Sequence, residues 1–221
     1  MNELIIGIID DDSTKTTQII TRLLEGWDTA SVEKRTKYSE YQLTPAEIPI
    51  CANMEDTSNC IKQSQVDGVL IDYRLSSYAK VNYTGIDLAK HLSTLREGFP
   101  IFVLTSYEDD IYAKEIFDVY QVFNFDRYLN DADERIELNT KIIEQILKYR
   151  KERLAWEQEL AGLLPRAGES AQIDARIIQL DGFIENSIDG AHSIPTKIKQ
   201  QLSTEKIDIL LEKLDKLIER E

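Results

Sequence analysis

Positive charge is the scarcer sign in this chain: 26 lysines and arginines face 40 aspartates and glutamates, a net charge of −14. A surface that acidic repels phosphate backbones and anionic headgroups, which excludes broad electrostatic binding to nucleic acid or to a membrane surface. Cysteine is almost missing, with Cys51 and Cys60 the only two. Two thiols make neither a tetrahedral metal set nor a disulfide framework, so both are expected to be free and buried. No apolar run approaches the roughly 18 residues of a spanning helix. The N-terminus is acidic and enters an apolar pattern at once, so no secretory signal is expected, and a cytoplasmic location is the default. At 221 residues the chain has room for one large domain, or for a domain of ordinary size with an appendage.

Against those absences stand three short apolar runs that each end in polar chemistry. Leu4-Ile5-Ile6-Gly7-Ile8-Ile9 runs into Asp10-Asp11-Asp12, Val69-Leu70-Ile71 into Asp72, and Ile101-Phe102-Val103-Leu104 into Thr105-Ser106. Continuous apolar runs of this length read as strands buried on both faces of a parallel sheet. The carboxyl ends of such strands form the ligand crevice of an open α/β sheet. All three runs therefore deliver carboxylates or hydroxyls to the mouth of one site.

Between the strands the apolar period is helical. Ile19, Ile20, Leu23 and Leu24 mark a first helix over 14–25, capped by Asp12 or Ser13 and ended by Gly26. Residues 27–47 show no winning period and read as an insertion, so the second strand is expected at 48–52, with Pro49 near its start. Helices are expected over 56–64, 85–96 and 109–117, and a fifth strand over 120–125. From 132 onward the pattern stays helical. One helix runs over 132–161, about 45 Å at 1.5 Å per residue; others are expected over 171–188, 195–202 and 204–220. Alternating βα units succeeded by helices alone predict a five-stranded doubly wound parallel sheet over 1–131, flavodoxin-like, and an all-helical region over 132–221.

If strands one and three are neighbours, Asp10, Asp11 and Asp72 converge. Two carboxylates about 4 Å apart repel by roughly 4 kcal/mol at an effective dielectric of 20. Such a cluster takes up protons, splays, or binds a hard cation, and magnesium suits an all-oxygen donor set. A carboxylate beside magnesium can act as a nucleophile toward phosphorus.

Ile8-Ile9-Asp10-Asp11-Asp12, Val69-Leu70-Ile71-Asp72 and Val103-Leu104-Thr105-Ser106 resemble the three signature strands of the receiver domain of two-component response regulators, in the family's order. Gly85-Ile86-Asp87-Leu88 resembles the start of its third helix. The resemblance implies Asp72 as phosphoacceptor, with Asp10, Asp11 and the backbone carbonyl of Arg74 holding Mg2+. It implies Thr105 as the hydroxyl that meets the phosphoryl group, Tyr128 as a switch aromatic, and a histidine kinase or phosphotransfer protein as donor. The sequence departs from the family at the end of strand five, where the family carries a lysine. Counting from Tyr128 puts Asp131 at that place, with Asn130 beside it; neither carries positive charge, and Arg127 would have to reach over to supply one. The loop from Asp72 to Gly85 is also longer than the family's.

Two other readings use the same residues. A pseudo-receiver keeps the fold as an interaction scaffold without phosphorylation. A haloacid-dehalogenase-type phosphatase would use Asp10 as nucleophile and Asp12 as general acid, with Ser106 and Asp109-Asp110 forced into its later motifs and Asp72 left without a role. His91 and His192 read as ordinary surface or core histidines. From Arg150 onward eleven basic residues meet fourteen acidic ones, with no basic face and no helix-turn-helix pattern. The tail is therefore expected to act through protein contacts with a downstream partner, or to pair its helices within the chain or in a homodimer, rather than to bind DNA.

Overall fold

The structure, a computed structural model, describes residues 2–106, 121–189, 193–194 and 197–199. The expected helices at 109–117 and 204–220 lie outside the described residues. Of the one expected at 195–202, residues 197–199 are described and are helical.

Five strands form one sheet: β1 (Asn2–Ile9), β2 (Tyr41–Glu47), β3 (Gly68–Asp72), β4 (Ile101–Thr105) and β5 (Val122–Asn124). Their order is β2-β1-β3-β4-β5, and every pairing is parallel. Every residue of β3 and β4 is buried, as their unbroken apolar runs require. Side chains alternate between the two faces. Val69, Ile71, Ile101 and Val103 join one apolar cluster, and Leu70, Phe102 and Leu104 the other.

The first cluster is closed by α3 (Met54–Gln63) and α4 (Gly85–Leu95), through Ile61, Ile86, Leu88 and Leu92. The second is closed by α1 (Ser13–Glu25), through Ile19 and Leu23, and by the first half of a long helix. Asp12 caps α1 by accepting from the amides of Thr14 and Lys15, and Gly26 ends it at φ +54°, a conformation that favours glycine. Leu24, expected on the apolar stripe, is 60% exposed.

The second strand is not at 48–52. Residues 27–47 hold both α2 (Val32–Tyr38) and β2. Ile48 N still donates to Ile8 O, but Pro49 has no amide to continue the ladder, and the chain leaves the sheet. Pro45, opposite Ile6, is tolerated within β2 because that strand lies on the edge. Tyr38 of α2 is buried and stacks on Trp27 with ring centroids 4.9 Å apart. The sulfurs of Cys51 and Cys60 lie 3.7 Å apart as half-buried free thiols.

The fifth strand also ends earlier than expected. Asn124 closes β5 and caps α5 (Phe125–Asn130), with its side-chain oxygen accepting from Arg127 N. Asp131 then accepts from the amides of Asp133 and Glu134 at the start of α6 (Ala132–Leu163).

Residues 1–94 and 98–150 make one compact unit. It includes the first half of α6, whose Leu138, Ile142, Ile143 and Ile146 are fully buried. The second unit comprises 95–97 and the chain beyond 150. There a short 3-10 turn, Leu164–Arg166, connects α6 to α7 (Ala171–Asp189). Trp156 and Phe183 pack with centroids 5.4 Å apart, and Arg176 grips Glu159 through Nε and Nη2 at 2.7 and 2.8 Å. Among the described residues no helix is long and apolar enough to cross a membrane.

Candidate functional site

Parallel pairing of β1 with β3, Ile9 opposite Ile71, puts the ends of both strands at the same edge. Asp10, Asp11 and Asp72 meet there, with one oxygen from each carboxylate within 4.8 Å of the others. Each is held differently. Asp10 Oδ1 accepts from Asp12 N at 2.8 Å, while its Oδ2 is buried and has no hydrogen-bond partner among the described residues. Asp11 Oδ2 accepts from the amides of Tyr78 and Ala79, which ties down the loop after β3. Asp72 is 4% exposed, and its Oδ2 accepts from Arg74 N at 2.9 Å.

The backbone around Asp72 is fixed from both sides. Tyr73 N donates to Leu104 O, and Gly85 N donates to Tyr73 O, each at 2.9 Å. Thr84 and Asp87 cap α4 reciprocally, each side chain accepting from the other's amide. Thr105 is fully buried at the end of β4, one residue past the Leu104 that pairs with Asp72. An open cleft of about 520 Å³ adjoins the cluster, lined by Asp10, Asp11, Ile48, Ile50, Tyr78 and Ala79 among others.

Burial pushes the Asp10 carboxyl up to about 7, with the charge of Asp72 adding to the effect. Burial also raises Asp72, although Lys15 opposes the rise. Lys15 is the residue that sequence reasoning missed. Its Nζ lies 3.3 Å from Asp72 Oδ1 and 5.3 Å from the centroid of the Phe125 ring. Burial alone would lower its ammonium group, but Asp72 and Asp10 outweigh that and the net shift is upward. The available signal was its position. A lysine in the first turn of a helix sits against the helix dipole and needs a compensating anion nearby.

Other sequence candidates fall elsewhere. Tyr128 is on α5 rather than on strand five, 1% exposed, with no hydrogen-bond partner for its hydroxyl among the described residues and its pKa raised by burial. Asp131, counted from Tyr128 as the lysine's place, is the exposed cap of α6; strand five ends at Asn124, opposite Thr105. Arg127 pairs with Glu134 at 3.6 Å. Arg74 is exposed in the loop after β3, and its amide is tied to the cluster through Asp72 Oδ2. Ser106 is half-buried past β4; Asp109, Asp110 and His192 lie outside the described residues.

The donor set fits a hard divalent cation. Three carboxylates converge, all donors are oxygen, and a buried oxygen of Asp10 lacks a partner.

No protein-family model matches the chain, and no curated protein sequence matches it. Among solved structures it is similar to the anti-anti-sigma factor PhyR from Bartonella quintana, with 12% identity over 69% of this chain and a TM-score of 0.41; it spans 50% of that protein's length. It is also similar to the PhyR response regulator REC domain of Erythrobacter litoralis, with 15% identity over 66% of this chain and 92% of that one, TM-score 0.40. Likenesses this distant carry no argument. Parallel strands in the order β2-β1-β3-β4-β5, followed by helices, make this a flavodoxin-like doubly wound α/β fold with a helical region after it.

Proposed function

We propose that the chain is a phosphoacceptor of the receiver type, taking a phosphoryl group onto Asp72 from a histidine kinase or phosphotransfer protein in the cytoplasm. The observation that carries this reading is the convergence of Asp10, Asp11 and Asp72 within 4.8 Å at the carboxyl edge of the sheet, beside an open cleft. In this reading Asp10, Asp11, Asp72 and the backbone carbonyl of Arg74 hold Mg2+. When bound, the ion neutralises phosphoryl oxygens. An oxygen of Asp72 attacks phosphorus in line, the new O–P bond forming as the bond to the donor breaks and its electron pair leaves with the donor. The Arg74 amide on Asp72 Oδ2 fixes the rotation of the carboxylate. Thr105, at the neighbouring strand end, donates its hydroxyl to the transferred group. The region over 132–221 carries the output through a protein partner or a homodimer, not through DNA.

A second reading, the pseudo-receiver, has one observation in its favour: Asp72 is buried and already paired with an ammonium group. The phosphatase reading is weakened because Asp12, its general acid, accepts two amides as the cap of α1. Intact mass after incubation with acetyl phosphate and Mg2+ separates the three. One added phosphoryl group on wild type and none on Asp72→Asn supports the phosphoacceptor. No uptake leaves the pseudo-receiver. Phosphomonoester turnover that survives Asp72→Asn and needs Asp10 favours the phosphatase.

A further inference from the structure

Residues 121–131, which hold strand five and α5, contain one basic residue, Arg127. Its guanidinium is exposed and pairs with Glu134, and the strand itself ends on Asn124, which caps α5. Strand five therefore brings no cation of its own to the acidic cluster. A cation is nonetheless present there, and it comes from a different element.

Lys15 stands in the first turn of α1, just past the Asp12 cap, so its side chain starts at the carboxyl edge where β1 delivers Asp10 and Asp11. Its Nζ contacts Asp72 Oδ1 at 3.3 Å, and the same ammonium lies 5.3 Å from the ring centroid of Phe125. Phe125 is the residue immediately after the last residue of β5. The ammonium thus spans from the end of β3 to the end of β5, reaching by a long side chain from α1 a place that strand five leaves without charge. Phe125 offers it a π face, which holds a cation without neutralising it.

We propose that Lys15 is the phosphoryl-site cation of this protein: it pairs with Asp72 before transfer and with the phosphoryl oxygens after it. The inference rests on the phosphoacceptor reading and adds the residue that makes it workable. Three carboxylates with one divalent ion carry a net charge of −1, and transfer turns the singly charged Asp72 carboxylate into an acyl phosphate of about −2, adding about one further negative charge. A fixed ammonium within reach of the reacting oxygen offsets part of that charge as it develops, in a site partly shielded from water. Because Lys15 contacts only the Asp72 oxygen opposite the one held by Arg74, it can move to the transferred group without releasing that amide.

The test compares wild type, Lys15→Gln, Lys15→Met and Lys15→Arg. Phosphoryl uptake from acetyl phosphate is tracked by intact mass at saturating Mg2+, Mg2+ affinity is measured by calorimetry without donor, and circular dichroism checks the fold. The expected result is uptake slowed at least about tenfold in the Gln and Met variants, partial recovery in the Arg variant, and Mg2+ affinity equal to or tighter than wild type. Uptake by Gln and Met variants at the wild-type rate overturns the inference and leaves the phosphoacceptor reading standing. Loss that parallels weakened Mg2+ binding also overturns it, since Lys15 would then serve only the shape of the metal site. Wild type that takes up no phosphoryl group removes both the reading and the inference.

Discussion

Gly85 begins α4 against the backbone carbonyl of Asp72: a β-carbon at residue 85 would lie 2.0 Å from that oxygen and 3.0 Å from Ile71 Cγ2. The obstacle is backbone at the end of a fully buried strand, so it cannot swing aside. Gly85→Ala is expected to push the start of α4 off β3, costing about 1–3 kcal/mol as overpacking does. It should also turn Asp72 away from Asp10 and Asp11. Thermal melting and Mg2+ titration check both effects, and a variant with wild-type values of each would show that the close approach has no role.

The acidic cluster gives a sign to the pH dependence. Asp10 is raised by burial to about 7, well above its ordinary 3.8, and Asp72 is raised in the same direction. Between pH 4 and 7 the folded, metal-free protein therefore holds more protons than the unfolded chain, so its stability falls as pH rises through that window. Glu144 and Glu159 are lowered by their hydrogen-bonded partners, so their contributions are lost only at more acid pH. Melting temperature without metal is expected to decline from pH 5 to pH 8, with a flatter profile in Asp10→Asn. Excess Mg2+ should restore stability at the upper end, because the ion binds the deprotonated cluster.

The first half of α6 is core, not appendage. Leu138, Ile142, Ile143 and Ile146 are fully buried in the cluster beneath α1, and Arg150 reaches Asp67, whose other oxygen accepts from Ile5 N. A chain ended after residue 131 is expected to lose cooperative unfolding, while one ended after 150 retains it. Ile143→Ala should cost about 2–5 kcal/mol in the full chain, the usual range for a fully buried aliphatic truncated in a tight core. Denaturant titrations of the three proteins provide the comparison.

Strands β1, β3 and β4 were legible because sheet interiors demand unbroken apolar runs, and those runs ended in the same polar chemistry. The convergence of Asp10, Asp11 and Asp72 could be read once strands one and three were taken as neighbours. β2 was not legible because it is an edge strand: Leu43 is its one buried residue, and Pro45 interrupts the amide pattern. The more apolar Ile48-Pro49-Ile50 drew the reading instead, although those residues form the lip of the cleft. Counting the lysine's place from Tyr128 failed because that aromatic packs from a helix, beyond a strand only three residues long. Lys15 was hidden for a different reason. Its meeting with Asp72, 57 positions away, depends on how α1 lies across the sheet, which no local pattern encodes.

The most direct measurement is the identity of the acceptor residue. After incubation with acetyl phosphate and Mg2+, sodium borohydride reduces an aspartyl phosphate to homoserine, and peptide mass mapping locates it. The account predicts homoserine at position 72, present with Mg2+ and absent with chelator. Homoserine at position 10 or 11, or none under any condition, would contradict it.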